Sequence, residues 1–138
     1  MVELREINTM KHAESFKDLV VYQKARGIAK EVFKITKSFP KEEMYSLTDQ
    51  VRRSSRSIGA QIAEAWGKRQ YGKHFISKLT DADSEQLETQ HWIEVAEDCN
   101  YVVHAQVLQI INKLSEIGRM LNSMMKKAKQ FCGERPDH

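Results

Sequence analysis

Three arginines stand close together in the most distinctive stretch of the sequence, residues 39–68. Arg52 and Arg56 are one helical turn apart and share a face, and Arg53 lies between them in sequence. The positive charge continues beyond this stretch with Lys68, Arg69 and Lys73. Guanidinium groups match phosphate oxygens in geometry and charge, so a cluster of them binds nucleic-acid backbone without reading base sequence. These six residues are candidates for a nucleic-acid-binding surface.

The same arginines also allow structural interpretations. They would form a solvated helix face, or they would pair with the acidic segment 79–100, which has a net charge of −7 and contains no lysine or arginine. They would equally suit a contact between subunits. Spacing alone does not decide between phosphate binding and subunit contact.

The acidic segment favours a charged outer face, or a subunit interface, over a metal centre. Di-iron bundles need Glu-x-x-His motifs on two helices, and this segment offers one, Glu88 with His91. An acidic helix that pairs with the basic helix of a neighbouring subunit makes a head-to-tail contact, which closes into a ring when the rotation permits. The candidate interface residues are Glu85, Glu88 and Trp92.

No pattern of catalytic residues stands out elsewhere in the sequence. It contains no nucleophile elbow, phosphate-binding loop or dinucleotide-binding glycine pattern. The five histidines are scattered, and Cys99 and Cys132 form neither a CxxC pair nor a zinc-like spacing. We therefore expect a protein that is not an enzyme and that uses no cofactor, metal or small-molecule substrate.

The elements that carry these residues are predicted to be long helices. Only 2 prolines and 6 glycines interrupt 138 residues, which favours helices over many short strands. Apolar residues recur in steps of four and three in the first helix, at Val21, Ala25, Ile28, Val32, Ile35 and Phe39. The predicted helices span about 18–37, 42–66, 73–98 and 104–131. Short connections make successive helices antiparallel neighbours, so an all-α, up-down-up-down four-helix bundle is expected over 16–131, with flexible tails at 1–15 and 132–138.

The third helix mixes apolar and polar residues on its predicted inner side. Its apolar contribution is Ile76, Leu79, Leu87, Ile93 and Ala96. Asp83, Gln86 and Gln90 fall near that seam. Two interpretations follow: these polar residues build a hydrogen-bond network that fixes the register, or the helix is rotated so that they face solvent.

The start of the sequence, MVELREINTMKHAES, is charged and lacks the apolar region of a signal peptide. No stretch approaches the roughly 18 consecutive apolar residues of a membrane span. We expect a cytoplasmic protein with no membrane partner.

Several segments together resemble one protein family. They are FKDLVVYQKA, FPKEE, LTDQVRRSSRSIGAQIAEAWG and LETQ. The chain resembles the bacterial 23S rRNA-intervening sequence proteins over about Phe16 to Leu121, and this family includes the accessory protein of diversity-generating retroelements. The stretch from Leu47 to Gly67 is the specific part. The resemblance implies a four-helix bundle, a ring-like homopentamer and a non-enzymatic accessory role.

The expected function combines the residues with this resemblance. Retroelement members of the family are understood to bind nucleic acid and a reverse transcriptase through a basic surface. We therefore expect an oligomeric accessory protein that binds RNA or DNA backbone, and that has a reverse transcriptase as a further partner. The alternative is a protein-only oligomeric scaffold whose arginines serve subunit contacts and which binds no nucleic acid.

Overall fold

The computed structural model describes residues 12–130 and residue 132, and this part of the chain contains four α-helices and three short 3-10 turns. The α-helices are α1 (Val20–Thr36), α2 (Leu47–Gly67), α3 (Gly72–Asp98) and α4 (His104–Lys126). The turns lie at Phe16–Asp18, Lys41–Glu43 and Ala128–Gln130. Each helix packs against the next one in sequence, and α1 also contacts α4. The predicted all-α, up-down four-helix bundle is confirmed.

Parts of the predicted boundaries fall outside the described residues. These parts are residues 1–11 and 133–138 of the two predicted tails, and the predicted end of the fourth helix at residue 131. Within the described residues, no helix combines the length and the apolar character needed to cross a membrane.

The second helix begins later than the sequence indicates, at Leu47 rather than at residue 42. Pro40 has extended backbone angles, and residues Lys41–Glu43 form a separate 3-10 turn. The Glu43 side chain accepts hydrogen bonds from the backbone N–H of Leu47, at 3.4 Å, and from the Tyr101 hydroxyl, at 2.9 Å. Glu43 therefore satisfies a free donor of the first turn of α2 and ties this turn to the α3–α4 connection at the same end of the bundle.

The apolar seam predicted for the first helix lies in the core. Val21, Ala25, Ile28 and Val32 are all at most 2% exposed. Ile35 is only partly buried, and its neighbour Thr36 takes the next core position, where its hydroxyl donates to the Val32 carbonyl at 2.8 Å. A threonine is tolerated there because its own helix satisfies its hydroxyl group.

The predicted inner face of the third helix was wrong at two positions. Ile76 is 37% exposed and Leu87 is 55% exposed. The buried face of α3 consists of Gly72, Phe75, Leu79, Ala82, Gln86, Thr89, Ile93 and Ala96. These residues recur in steps of three and four, but two of the central ones are polar, so hydrophobicity alone does not reveal the face.

Hydrogen bonds satisfy the polar residues on this face. Thr89 donates its hydroxyl to Ser54 Oγ of α2 at 2.8 Å. Gln90 Nε2 donates to Gln86 Oε1 at 2.8 Å, and Gln86 Nε2 donates to Asp83 Oδ1 at 2.9 Å. Of the two interpretations of the third helix, the hydrogen-bond network is the one observed. A buried polar side chain with paired donors and acceptors avoids most of the desolvation cost of an unpaired one.

Gly118 of α4 lies directly against this network. A Cβ atom at Gly118 would lie 2.7 Å from Gln86 Nε2 and 3.1 Å from Asp83 Oδ1. Any larger residue would therefore displace the Gln86 amide, although alanine is the better helix former. The observed position of the Gln86 amide against α4 therefore requires a glycine at residue 118.

We predict that Gly118→Ala lowers the free energy of unfolding by about 1–2 kcal/mol, because disrupted buried hydrogen bonds outweigh the gain in helix propensity. In a Gln86→Ala background the same change should raise stability by up to about 1 kcal/mol, because the obstructing amide is gone. Urea denaturation of the four proteins measures both values.

Gly27→Ala in α1 is the matched control, since a Cβ there meets no atom within 4 Å. It should stabilise the protein by about 1 kcal/mol. An effect of Gly118→Ala that is the same in both backgrounds would contradict the role given to Gln86.

Candidate nucleic-acid interface

The three neighbouring arginines of α2 contact different helices. Arg53 is rotated by about 100° from Arg52 and is only three residues from Arg56, yet its side chain makes different contacts from theirs. Arg53 reaches carboxylates of α3, while Arg52 and Arg56 reach an aromatic ring of α1. The six-residue basic cluster predicted from the sequence is therefore divided among separate places.

Arg53 joins two carboxylates of α3. Its Nη1 lies 3.1 Å from Glu85 Oε2, and its Nη2 bonds Glu88 Oε2. The same Glu88 oxygen accepts a hydrogen bond from Trp92 Nε1 at 2.9 Å. The Arg53 side chain is 46% exposed and that of Glu85 is 17% exposed, so the cluster lies partly shielded at the α2–α3 contact. We call these four residues the Arg53 cluster.

The protonation equilibria of the Arg53 cluster reflect this arrangement. The hydrogen bond from Trp92, aided by the hydrogen bond and charge of Arg53, lowers the pKa of Glu88 below its usual 4.5. Burial is the largest single effect on Arg53 and lowers its pKa, but the hydrogen bonds and charges of Glu88 and Glu85 together raise that pKa above its usual value. Both groups are therefore held in their charged forms.

The residues predicted for a subunit interface are thus bonded within one chain. Glu85 and Glu88 pair with Arg53, and Trp92 donates to Glu88. This is the salt-bridge interpretation that the sequence left open for the arginines. A role for Glu85, Glu88 and Trp92 between subunits stays a prediction, but charge pairing with a neighbouring subunit no longer has to be invoked to neutralise them.

Arg52 and Arg56 surround Phe33 of α1. The guanidinium carbons lie 4.7 Å and 5.5 Å from the centre of the ring, and Lys37 Nζ lies 4.9 Å from it. Arg52 Nε also donates to Thr36 Oγ1 at 2.7 Å. Phe33 remains 36% exposed. Cations over the face of an aromatic ring are attracted by its quadrupole, so the ring gathers positive charge at the surface.

This aromatic centre lies at one end of a groove between α1 and α2. The groove has a volume of ≈ 820 Å³, and its charged and aromatic lining includes Phe16, Tyr22, Arg26, Lys30, Phe33 and Arg56. Its remaining lining residues are small: Ala25, Gly27, Ala29, Gly59, Ala60 and Ala63. Among the described residues that line it, none is a carboxylate. We call this groove, with Lys37 and Arg52 beside Phe33, the basic groove.

The cations of the basic groove lack acidic partners. Among the described residues, no carboxylate lies within ion-pair distance of Arg26, Lys30, Lys37, Arg52 or Arg56. Arg26 instead lies 5.9 Å from the centre of the Tyr22 ring, with its Nη1 3.4 Å from the Tyr22 hydroxyl. Five cations therefore face a groove that offers them aromatic and small side chains but no counter-charge.

The sequence did not predict Phe16 or five further charged and aromatic residues of the basic groove: Tyr22, Arg26, Lys30, Phe33 and Lys37. These five follow one face of α1 at helical spacing, off the buried seam. The sequence shows that these residues share a face of α1, but it does not show which face of α2 packs beside that face. The contact of Phe33 with Arg52 and Arg56 becomes apparent only from the packing of α1 against α2.

The other predicted basic residues lie at the opposite end of α2. Lys68 follows its last residue, about 24 Å along the axis from Arg52 at 1.5 Å per residue. Arg69 lies 4.0 Å from the centre of the Trp66 ring and donates to the Trp66 carbonyl at 2.8 Å. Lys73 lies in the first turn of α3 and is exposed. In the predicted nucleic-acid-binding role, these three residues would extend the positive charge beyond the end of α2, which lies about 6 Å along the axis from Ala63 of the basic groove.

Among the described residues, no group of three or more histidine, cysteine, aspartate or glutamate side chains is placed to hold a metal ion. The two carboxylates of the Arg53 cluster already share one guanidinium group as an ion-pair partner.

Comparisons with known proteins relate this bundle to one family. A family model described as 23S rRNA-intervening sequence protein matches residues 17–123, which span α1 to α3 and most of α4. A crystal structure from Bacteroides thetaiotaomicron, of a protein with unknown function from the S23 ribosomal protein family, is 33% identical in sequence. The similarity covers 78% of this chain and 96% of that chain, with a TM-score of 0.70. No curated protein matched the chain.

We predict that Arg53→Gln lowers the free energy of unfolding by on the order of 1 kcal/mol at neutral pH, since it removes the cation shared by two carboxylates. Because the pKa of Glu88 is lowered by folding, its stabilising effect is full above the unfolded value near 4.5 and is lost as the pH falls through the folded value. Urea denaturation of both proteins at about pH 7 and about pH 2.5 measures how much of the stability difference between the wild type and Arg53→Gln is lost in acid.

Arg119→Gln serves as the control, because Arg119 is exposed on α4 and has no ion pair among the described residues. It should change stability by less than about 0.5 kcal/mol at both pH values. An Arg53→Gln effect of equal size in acid would show that the ion pairs are not its cause.

Proposed function

The chain belongs to the 23S rRNA-intervening sequence protein family, and we propose that it is a cytoplasmic, non-enzymatic accessory protein that binds nucleic-acid backbone through the basic groove. One observation carries this proposal: the five cations of the basic groove have no carboxylate partner among the described residues. Phosphate groups would supply the missing counter-charge.

The contrast with Arg53 supports this use of the groove. Arg53 has two carboxylate partners within its own chain, whereas Arg52 and Arg56 lie beside Phe33 of α1. A surface arginine without an ion-pair partner keeps guanidinium donors from which a phosphate can accept. Arg52 donates to the Thr36 hydroxyl group, and Arg56 lies over the Phe33 ring. The remaining N–H donors of both guanidinium groups are available to a phosphate.

We also propose that the chain forms the ring-like homopentamer implied by its resemblance to the family. A ring would repeat the basic groove around its circumference, so that one nucleic-acid chain engages several grooves at once. Weak contacts at each groove would then add up to useful affinity. A reverse transcriptase is the proposed protein partner, and it rests on the resemblance to the retroelement accessory proteins.

The protein-only scaffold is the competing function. In that case, carboxylates of a neighbouring subunit would fill the basic groove and no phosphate would be needed. The two functions differ in what happens when Arg52 and Arg56 lose their charge: a nucleic-acid-binding protein loses affinity, whereas a scaffold loses its assembly.

We predict that the protein binds a structured RNA and a duplex DNA with an affinity that falls steeply with salt concentration. Arg52→Gln with Arg56→Gln should weaken binding to all sequences alike and reduce the slope of log affinity against log salt by about 2, because two phosphate contacts are lost. Fluorescence anisotropy over a salt series measures this, with the mass of each protein determined by light scattering.

Arg119→Gln, outside the basic groove, should leave the slope unchanged. Two results would contradict the proposal. One is the absence of binding by the wild-type protein at low salt. The other is dissociation of an oligomer by the double variant, which would place Arg52 and Arg56 in a subunit contact.

A further inference from the structure

Phe33 has surroundings that the requirement for phosphate contacts does not explain. The ring is 36% exposed, and three cations lie within 5.5 Å of its centre. The neighbouring residue Val32 already fills the core position of this turn at 0% exposure, so Phe33 is not needed to seal the bundle. A purely phosphate-binding groove needs cations but has no use for an exposed phenyl ring among them.

A second aromatic residue lies on the same face of α1. Tyr22 precedes Phe33 by eleven residues, about 16 Å along the helix axis, and has Arg26 close to its ring. Between the two rings the lining from α2 is Gly59, Ala60 and Ala63. A Cβ at Gly59 would lie 3.6 Å from the Tyr22 ring. Small residues thus keep the groove open between its aromatic ends.

The basic groove therefore combines the two features by which proteins hold single strands. Cations along a groove follow the phosphates, and aromatic rings or guanidinium planes stack on bases without regard to sequence. In a duplex each base face is covered by its neighbours in the stack. A ring such as Phe33 then adds nothing to duplex binding, whereas an unpaired base has a free face to place against it.

We propose that the basic groove takes single-stranded nucleic acid in preference to duplex, with an unpaired base stacked at Phe33 and the adjoining phosphates on Lys37, Arg52 and Arg56. This inference rests on the proposed function and adds to it the class of nucleic acid. An acidic peptide would also neutralise the cations, but it would leave the ring and its guanidinium neighbours without a stacking partner.

The test compares three probes of one length and sequence: a single strand, its duplex, and a strand of abasic sites that keeps the phosphates but lacks the bases. Each is titrated against the wild-type protein and Phe33→Leu by fluorescence anisotropy. Leucine keeps an apolar side chain and favours the helix, but has no π face. Thermal unfolding checks that the variant is folded.

We expect Phe33→Leu to lower the binding affinity only for the probe whose bases are exposed, the single strand. Phe33→Leu should weaken single-strand binding by about 5- to 150-fold, the range measured when one stacking ring is removed. Its affinity for the duplex and for the abasic strand should change less than about twofold, and the salt slope should not change, because no charge is altered. Tyr45→Leu, which removes a ring that is 90% exposed at the end of the bundle, should have no effect on any probe.

The outcomes separate this inference from the function on which it rests. Salt-dependent binding that is as tight for the duplex as for the single strand would overturn the inference and leave backbone binding intact. The same follows if Phe33→Leu weakens all three probes equally, or if a poly-glutamate peptide of equal charge binds as tightly as the single strand. No binding of any nucleic acid at low salt would overturn both.

Discussion

The ion pairs between Arg53 and the two carboxylates of α3 determine which arginines of α2 are left without a carboxylate partner. They occupy Glu85 and Glu88, the acidic residues that face α2, and so no carboxylate of this cluster is left for a second arginine. Arg52 and Arg56 lie on the side of α1, where none of the described residues that line the groove is acidic. On one side of α2 the arginine is paired with carboxylates of α3, and on the side of α1 the arginines have no such partner among the described residues.

The packing of α3 makes this arrangement possible. Its inner face is built from small and polar residues as well as large apolar ones, and Thr89 bonds Ser54 of α2 only one helical turn from Glu85. On the other side, the amide of Gln86 fits against Gly118 of α4. These specific contacts set the rotation of α3 more strictly than a smooth apolar seam would. That rotation is what brings Glu85 and Glu88 to Arg53.

The sequence was informative about the fold because long helices with a regular apolar seam leave a clear pattern. Val21, Ala25, Ile28 and Val32 were identified by spacing alone and are buried. The face of α3 was misjudged at Ile76 and Leu87, since buried Gln86 and Thr89 look like surface residues until their partners are known. The start of α2 was placed too early because Glu43 caps the helix from a separate turn.

The candidate site was harder to predict, for a geometric reason. Residues that are neighbours in sequence point to different helices, so Arg53 separates from Arg52, and Lys68 lies at the far end of α2. Conversely, Phe33 and Arg56 meet although 23 positions separate them. Local spacing shows which residues share a helical face, but only the packing of two helices shows which faces meet and where charge remains unpaired.

Arg53 of α2 stabilises the bundle through ion pairs, whereas Arg52 and Arg56 of the same helix are proposed to bind nucleic acid. The most direct test follows the side-chain Nε–H resonances of ¹⁵N-labelled arginine by NMR while a single-stranded oligonucleotide is added. The resonances of Arg52 and Arg56 should shift progressively with oligonucleotide concentration, and that of Arg53 should stay in place. A shift of Arg53 as large as those of Arg52 and Arg56, or no shift of these two, would contradict the account.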